Sequence, residues 1–188
     1  MPLNIPNLLT WFRILLIPVF LGVFYLPDPV LSLHNKHLVG TTIFALAAVT
    51  DWLDGYLARA LNQISAFGAF LDPVADKLMV AAALVVLVKL GYVDMIIAFI
   101  IIGREIAISA LREWMAQLGE SKSTAVSMLG KVKTVFQMVA ILLLLCHDSL
   151  AGFSTNLLGT VLIYLAAVLT LWSMGYYLIL ALPQISRK

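Results

Sequence analysis

The chain has 188 residues, 62% of them hydrophobic and only 12% charged, with a mean hydropathy of +1.02. Soluble domains carry about 25% charged residues, so this composition cannot cover a water-facing surface; at roughly 20 residues per helical crossing the length holds about six membrane spans and no separate soluble domain. A formal net charge of +2 without a block of like charge excludes nucleic-acid binding, and a lone cysteine, Cys146, excludes an internal disulfide and a cysteine-based metal site.

In chain order, apolar runs predict helical spans at residues 8–26, 38–60, 67–90, 95–115, 132–147 and 157–182. The expected fold is all-α, one polytopic membrane domain over residues 1–188 with both termini on one side. The first run lacks the basic start and small-residue cleavage site of a secretory signal and is read as a retained span, kinked at Pro18. Ahead of it, residues 2–13 begin polar and turn apolar at Trp11 and Phe12, a pattern expected to lie along the membrane surface and cover a donor site. The connections at 27–37 and 148–156 are rich in turn formers such as Pro27, Pro29, Asn35 and Gly152. His34, His37 and His147 fall in or beside these connections without carboxylates at ligand spacing, and no metal role is read into them. Trp11, Trp114 and Trp172 read as interfacial or packing aromatics, and Trp52 as a wall of the motif described next.

Basic residues fix the orientation. Arg13, Arg59, Lys77, Arg104, Arg112, Lys122, Lys131, Lys133, Arg187 and Lys188 share one side, against Lys36 and Lys89 on the other. The termini and the richer side are therefore cytoplasmic, and the connections at 27–37 and 148–156 face outward.

The second and third spans carry the side chains least suited to a bilayer. An ionisable group inside a span is costly and marks a functional site by default. Asp51, Asp54, Gly55, Ala58 and Arg59 recur at i, i+3, i+4, i+7 and i+8, a single stripe of an α-helix. Gly68, Asp72 and Asp76 repeat the pattern at i, i+4 and i+8 after a short loop. The two helices are expected to form an antiparallel hairpin whose stripes face each other, bringing the aspartates together near the cytoplasmic boundary. Two carboxylates about 4 Å apart repel by about 4 kcal/mol at an effective dielectric near 20, so a cation must hold such a cluster ionised. Hard oxygen donors in this number suit Mg²⁺ or Mn²⁺. Two divalent ions balance the charge of Asp51, Asp54, Asp72 and Asp76, and a two-metal clamp serves in-line displacement at phosphorus. Gly55, Ala58 and Gly68 either leave space for a bulky group to approach or form a helix-packing surface.

The string Asp51-x-x-Asp54-Gly55-x-x-Ala58-Arg59, eight residues, then Gly68-x-x-x-Asp72-x-x-x-Asp76 resembles the defining motif of the CDP-alcohol phosphotransferases, with every motif position filled. The resemblance implies six transmembrane helices, a homodimer, and transfer of a phosphatidyl or similar group from a CDP-linked donor to an alcohol, with CMP leaving. Carried over by position, Asp51, Asp54, Asp72 and Asp76 would hold two divalent metals, and Asp76 would be the general base. Asp54, Gly55, Ala58, Arg59 and Gly68 would line the CDP site, Arg59 balancing diphosphate charge. The residue chemistry is consistent with these roles, since metals polarise a diphosphate and a carboxylate can accept the alcohol proton.

The fourth span adds Arg104 and Arg112 on one i, i+4, i+8 stripe, and Lys131, Lys133 and Thr134 open the fifth on the same side. Glu105 and Glu113 form a neighbouring stripe, so ion pairing within or between helices is the structural alternative, and the lysines serve equally as positive-inside anchors. Together these cations suit an acceptor bearing a phosphate, gripped by Arg104, Arg112, Lys131 and Lys133; choline, ethanolamine and free inositol would not need them. Asn4-Ile5-Pro6-Asn7 with Thr10 and Arg13, Arg104-Glu105-Ile106, Leu111-Arg112-Glu113-Trp114-Met115 and Gly130-Lys131-Val132-Lys133-Thr134 are similar to the bacterial phosphatidylglycerophosphate synthase branch of that family. That likeness implies CDP-diacylglycerol as donor, glycerol 3-phosphate as acceptor, membrane lipids as neighbours and the bacterial inner membrane as location. Another acceptor such as inositol phosphate would use the same chemistry. A cation channel or transporter fits less well, because the acids gather at one face and no inverted repeat is evident.

Overall fold

The computed structural model describes residues 5–60, 66–117, 128–147, 149–150 and 153–185. Their elements run α1 (Ile5–Tyr25), α2 (Leu33–Ala60), α3 (Ala66–Lys89), α4 (Met95–Gln117), α5 (Met128–Cys146), β1 (Ser149–Leu150), β2 (Phe153–Ser154) and α6 (Thr155–Ile185). The helices fall on the six apolar runs. The strands are an addition: a two-residue antiparallel ladder pairing Ser149 with Ser154 and Leu150 with Phe153 inside the 148–156 connection.

Local chemistry sets the helix ends. Ser32 caps α2, its Oγ accepting from the Asn35 backbone N–H at 3.4 Å. The helix therefore starts before the predicted residue 38 and takes Lys36 and His37 into its first turns. Asp94 caps α4 by accepting from the Ile96 N–H at 2.7 Å, and Ser154 caps α6 by accepting from the Leu157 N–H at 3.3 Å. At the end of α3 the Tyr92 N–H bonds the Leu87 carbonyl and the Gly91 N–H bonds the Val88 carbonyl. Gly91 takes the left-handed conformation (φ +75°) that this closure requires. Helices α1 and α3 continue through Pro18 and Pro73 without a break. Residues before Trp11 are part of α1 from Ile5 onward.

Packing puts α1 against both α2 and α3, far more extensively than these two pack on each other, while α5 packs on α6 and α2, and α4 on α6. The core joins Phe20 of α1, Phe44 of α2, Leu84 and Leu87 of α3, Ile101 of α4 and Ile141 and Leu144 of α5. Two close approaches depend on glycine: a Cβ at Gly40 would meet the Phe24 ring at 2.6 Å, and one at Gly159 would meet Leu144 at 2.8 Å.

The surface is inverted relative to a soluble protein. Leu15, Val19, Phe70, Leu78, Phe99, Ile106, Leu157 and Val168 are exposed, whereas Arg13, Asp54, Arg104 and Lys133 are buried. The segments Asn7–Tyr25 and Thr155–Gly175 are each long and apolar enough to cross a bilayer. An apolar exterior around buried charge is the arrangement of an integral membrane protein.

The end of the bundle that carries the 27–37 connection holds the histidines. His37 is buried, its Nδ1–H donating to the Leu145 carbonyl at 2.8 Å; in the neutral ring Nε2 then accepts from the Tyr92 hydroxyl at 3.2 Å. Tyr92 stacks on His147 with ring centroids 3.9 Å apart. Burial raises the pKa of the Tyr92 phenol, keeping it a neutral donor. Lys36, buried nearby, pairs with Asp28 at 2.7 Å.

Candidate active site

At the other end of the bundle, α1 supplies what joins the two aspartate stripes. Its residues Asn7, Thr10 and Arg13 follow a three-residue spacing on one face, and all three are buried. Arg13 Nη1 donates to Asp51 at 2.7 Å and Nη2 donates to Asp54. Thr10 Oγ1 donates to Asp72. α1 lies against both α2 and α3 and links their aspartate stripes with a guanidinium and a hydroxyl.

Burial differs across this cluster. The side chains of Arg13 and Asp54 are 1% and 3% exposed, while that of Asp51 is 44% exposed. Asp54 lies within electrostatic range of Asp51 and Asp72, and Asp76 within range of Asp51 and Arg13. Among the described residues no three of His, Cys, Asp and Glu converge as a ready metal cage. The Arg13 guanidinium lies against Asp51 and Asp54 instead. The donor chemistry nonetheless fits a hard divalent cation: every acid in the cluster offers carboxylate oxygens, and Arg13 balances only part of their charge.

Asp76 borders two clefts. One is shared with Arg13, Phe44 and Met79. The other is shared with Lys77, Glu105, Thr134 and Gln137. The second cleft adjoins a chain of polar contacts linking α4, α5 and α6. Lys133 donates to Glu105 Oε1, Arg104 Nη1 reaches the same oxygen at 3.5 Å, and Arg104 Nη2 donates to Ser173 Oγ at 3.0 Å. Ser173 in turn donates to the Thr170 carbonyl at 3.0 Å. Arg112 lies within electrostatic range of Lys133. The ion pairing left open as the structural alternative is thus present at Glu105, which gathers Arg104 and Lys133 and itself lines the cleft with Asp76.

Other anticipated site residues are less fully placed. Gly68 is buried on α3. Gly55, Ala58 and Arg59 lie within α2 and Lys131 within α5, but their side-chain surroundings fall outside the described residues. Sequence reasoning missed Thr10 and Arg13 as site residues and gave no role to Gln137 or Ser173. Their signal was the one that exposed the aspartates: polar side chains at helical spacing in otherwise apolar spans, Thr10 with Arg13, Lys133 with Gln137, and Thr170 with Ser173.

Comparison with known proteins gives this geometry a chemical context. A sequence profile of the CDP-alcohol phosphatidyltransferase family matches residues 3–172. The chain is 51% identical over 180 residues to proteins named CDP-diacylglycerol–glycerol-3-phosphate 3-phosphatidyltransferase from Escherichia coli (strain K12) and Salmonella typhimurium, covering 95% of this chain and 94% of each relative. The protein of that name from Haemophilus influenzae is also 51% identical, over 95% of this chain and 93% of its own length.

Proposed function

This chain belongs to the CDP-alcohol phosphatidyltransferase family, and on that premise we propose how its residues perform the family's chemistry. The protein is a CDP-diacylglycerol–glycerol-3-phosphate 3-phosphatidyltransferase, an enzyme of phospholipid biosynthesis. It transfers the phosphatidyl group of CDP-diacylglycerol to sn-glycerol 3-phosphate, giving phosphatidylglycerol phosphate and CMP.

The observation that carries the residue assignment is the position of Asp76, which borders both the cleft reaching Arg13 and the cleft bounded by Glu105, Thr134 and Gln137. We assign the first side to the CDP-linked donor and the second to the acceptor. Asp51, Asp54, Asp72 and Asp76 would hold two divalent ions, Mg²⁺ or Mn²⁺, which when bound supply polarisation of the diphosphate. Arg13 orients Asp51 and Asp54, and Thr10 orients Asp72. Asp54, Gly55, Ala58, Arg59 and Gly68 line the CDP site. Arg104, Arg112, Lys131 and Lys133 take the acceptor phosphate.

The reaction then follows from proximity. The acceptor's terminal hydroxyl attacks the phosphorus attached to diacylglycerol, and a new P–O bond forms as the bond to the CMP oxygen breaks. Asp76 takes the hydroxyl proton. Glu105 holds Lys133 and Arg104 at the acceptor wall, so the phosphate is met by positioned cations.

The same reading gives residues 1–188 as one membrane domain with six spans, both termini cytoplasmic, in a bacterial inner membrane among its lipids, assembled as a homodimer. The exposed apolar faces and the distribution of Lys and Arg support it.

An acceptor panel tests the reaction. Purified protein in detergent, with CDP-diacylglycerol and Mg²⁺ or Mn²⁺, is expected to release CMP with glycerol 3-phosphate and not with inositol phosphate, choline or inositol. CMP release with inositol phosphate alone would replace the acceptor, and none with any acceptor would remove the transferase assignment.

A further inference from the structure

The cleft on the acceptor side contains a polar side chain that the roles above leave unused. Gln137 lies on α5 one turn beyond Lys133, is 3% exposed, and lines the cleft with Asp76, Glu105 and Thr134. Its Oε1 is buried with no hydrogen-bond partner among the described residues. An unsatisfied carboxamide in a helix interior costs stability, and the adjacent cleft-lining Met138 shows that this wall accepts an apolar side chain of similar length. A carboxamide oxygen kept here without a partner among the described residues calls for one among the molecules entering the cleft.

We propose that the Gln137 carboxamide is a specificity-determining group that hydrogen-bonds the second, unreacted hydroxyl of a diol phosphate acceptor. The proposal rests on reading this cleft as the acceptor site. An acceptor of the glycerol 3-phosphate class brings a phosphate, a hydroxyl that attacks and a hydroxyl between them. The cleft presents Asp76 as the carboxylate, Lys77 as a cation and Gln137 as a neutral group that both donates and accepts, and Lys133 and Arg104 lie behind it on Glu105. Neutrality suits the task, because a carboxamide adds no charge to repel the phosphate and does not compete with Asp76 for the proton. A site that hydrogen-bonds a substrate hydroxyl discriminates against the analogue lacking it, since its buried polar group is then left unmet.

The test compares glycerol 3-phosphate with 3-hydroxypropyl phosphate, which lacks only the middle hydroxyl, using the full chain in detergent with CDP-diacylglycerol, Mg²⁺ and CMP release. Wild type is expected to favour glycerol 3-phosphate in kcat/KM by roughly tenfold to a hundredfold. Gln137→Met, and Gln137→Leu as a second removal of the amide, should bring that ratio close to one, mainly through loss on glycerol 3-phosphate. If either folded variant keeps the wild-type ratio, or loses activity equally on both acceptors, Gln137 does not read the hydroxyl and the proposal falls alone. If wild type releases CMP with neither acceptor, the reading of the cleft falls with it.

Discussion

Arg13 of α1 and Asp54 of α2 form an ion pair whose side chains are 1% and 3% exposed, with a second guanidinium nitrogen reaching the more exposed Asp51 at 2.7 Å. A pair this deep is held by geometry. Its desolvation offsets much of its Coulombic gain, but removing one partner strands a buried charge.

Arg13→Ala should therefore destabilise the protein by about 3–5 kcal/mol, read as a lower unfolding temperature in detergent. Arg13→Lys keeps the charge but not the two-pronged grip. It should recover part of the stability and still lose at least roughly tenfold in CMP release, because Asp51 and Asp54 are no longer oriented by one planar group. Wild-type stability in Arg13→Ala would show that the pair contributes nothing to the fold.

Thr10→Val removes the hydroxyl that donates to Asp72 while conserving shape. A hydrogen bond to a charged acceptor contributes about 1.5–3 kcal/mol when well formed, so a modest fall in stability is expected. The more specific expectation is a higher concentration of Mg²⁺ or Mn²⁺ for half-maximal activity, since Asp72 loses its orienting partner. A metal titration on both proteins checks it; superimposable curves would leave Thr10 a packing residue.

Chelation follows from the donor chemistry. EDTA should abolish CMP release, and added Mg²⁺ or Mn²⁺ should restore it, whereas Ca²⁺, with its looser coordination, should restore little. Full activity in the chelated protein would separate the aspartates from any metal role.

Between α4 and α5, Lys133 donates to Glu105, which also faces Arg104 at 3.5 Å. A double-mutant cycle with Glu105→Gln and Lys133→Met should give a coupling free energy above about 1 kcal/mol. Both single variants should raise the KM for glycerol 3-phosphate more than the KM for CDP-diacylglycerol. Additive effects would reduce the pair to two independent charges.

The sequence made the helices and the aspartate stripe legible because both depend on local spacing. Spans show as apolar runs, and Asp51, Asp54, Asp72 and Asp76 stand out as carboxylates at i, i+3 and i+4 steps where lipid would reject them. What remained hidden depends on which helix lies between which. The role of Arg13 was obscured by its usefulness in counting positive charge, and it becomes a site residue only once α1 is seen against both α2 and α3. Glu105 is a neighbour of Arg104 on its own helix, yet its shorter contact is to Lys133 on α5, which no intrahelical register could reveal. The α2 start was missed for a smaller reason: Ser32 caps a turn that contains Asn35, Lys36 and His37, residues whose polarity resembles a loop.

The central claim is that Asp76 stands where donor and acceptor meet and takes the acceptor proton. Asp76→Asn keeps the shape of the side chain and removes the carboxylate, so the direct measurement is CMP release by this variant beside its binding of CDP-diacylglycerol. The account predicts a fall in turnover of at least roughly a hundredfold with donor binding largely retained. Wild-type turnover in Asp76→Asn would contradict it.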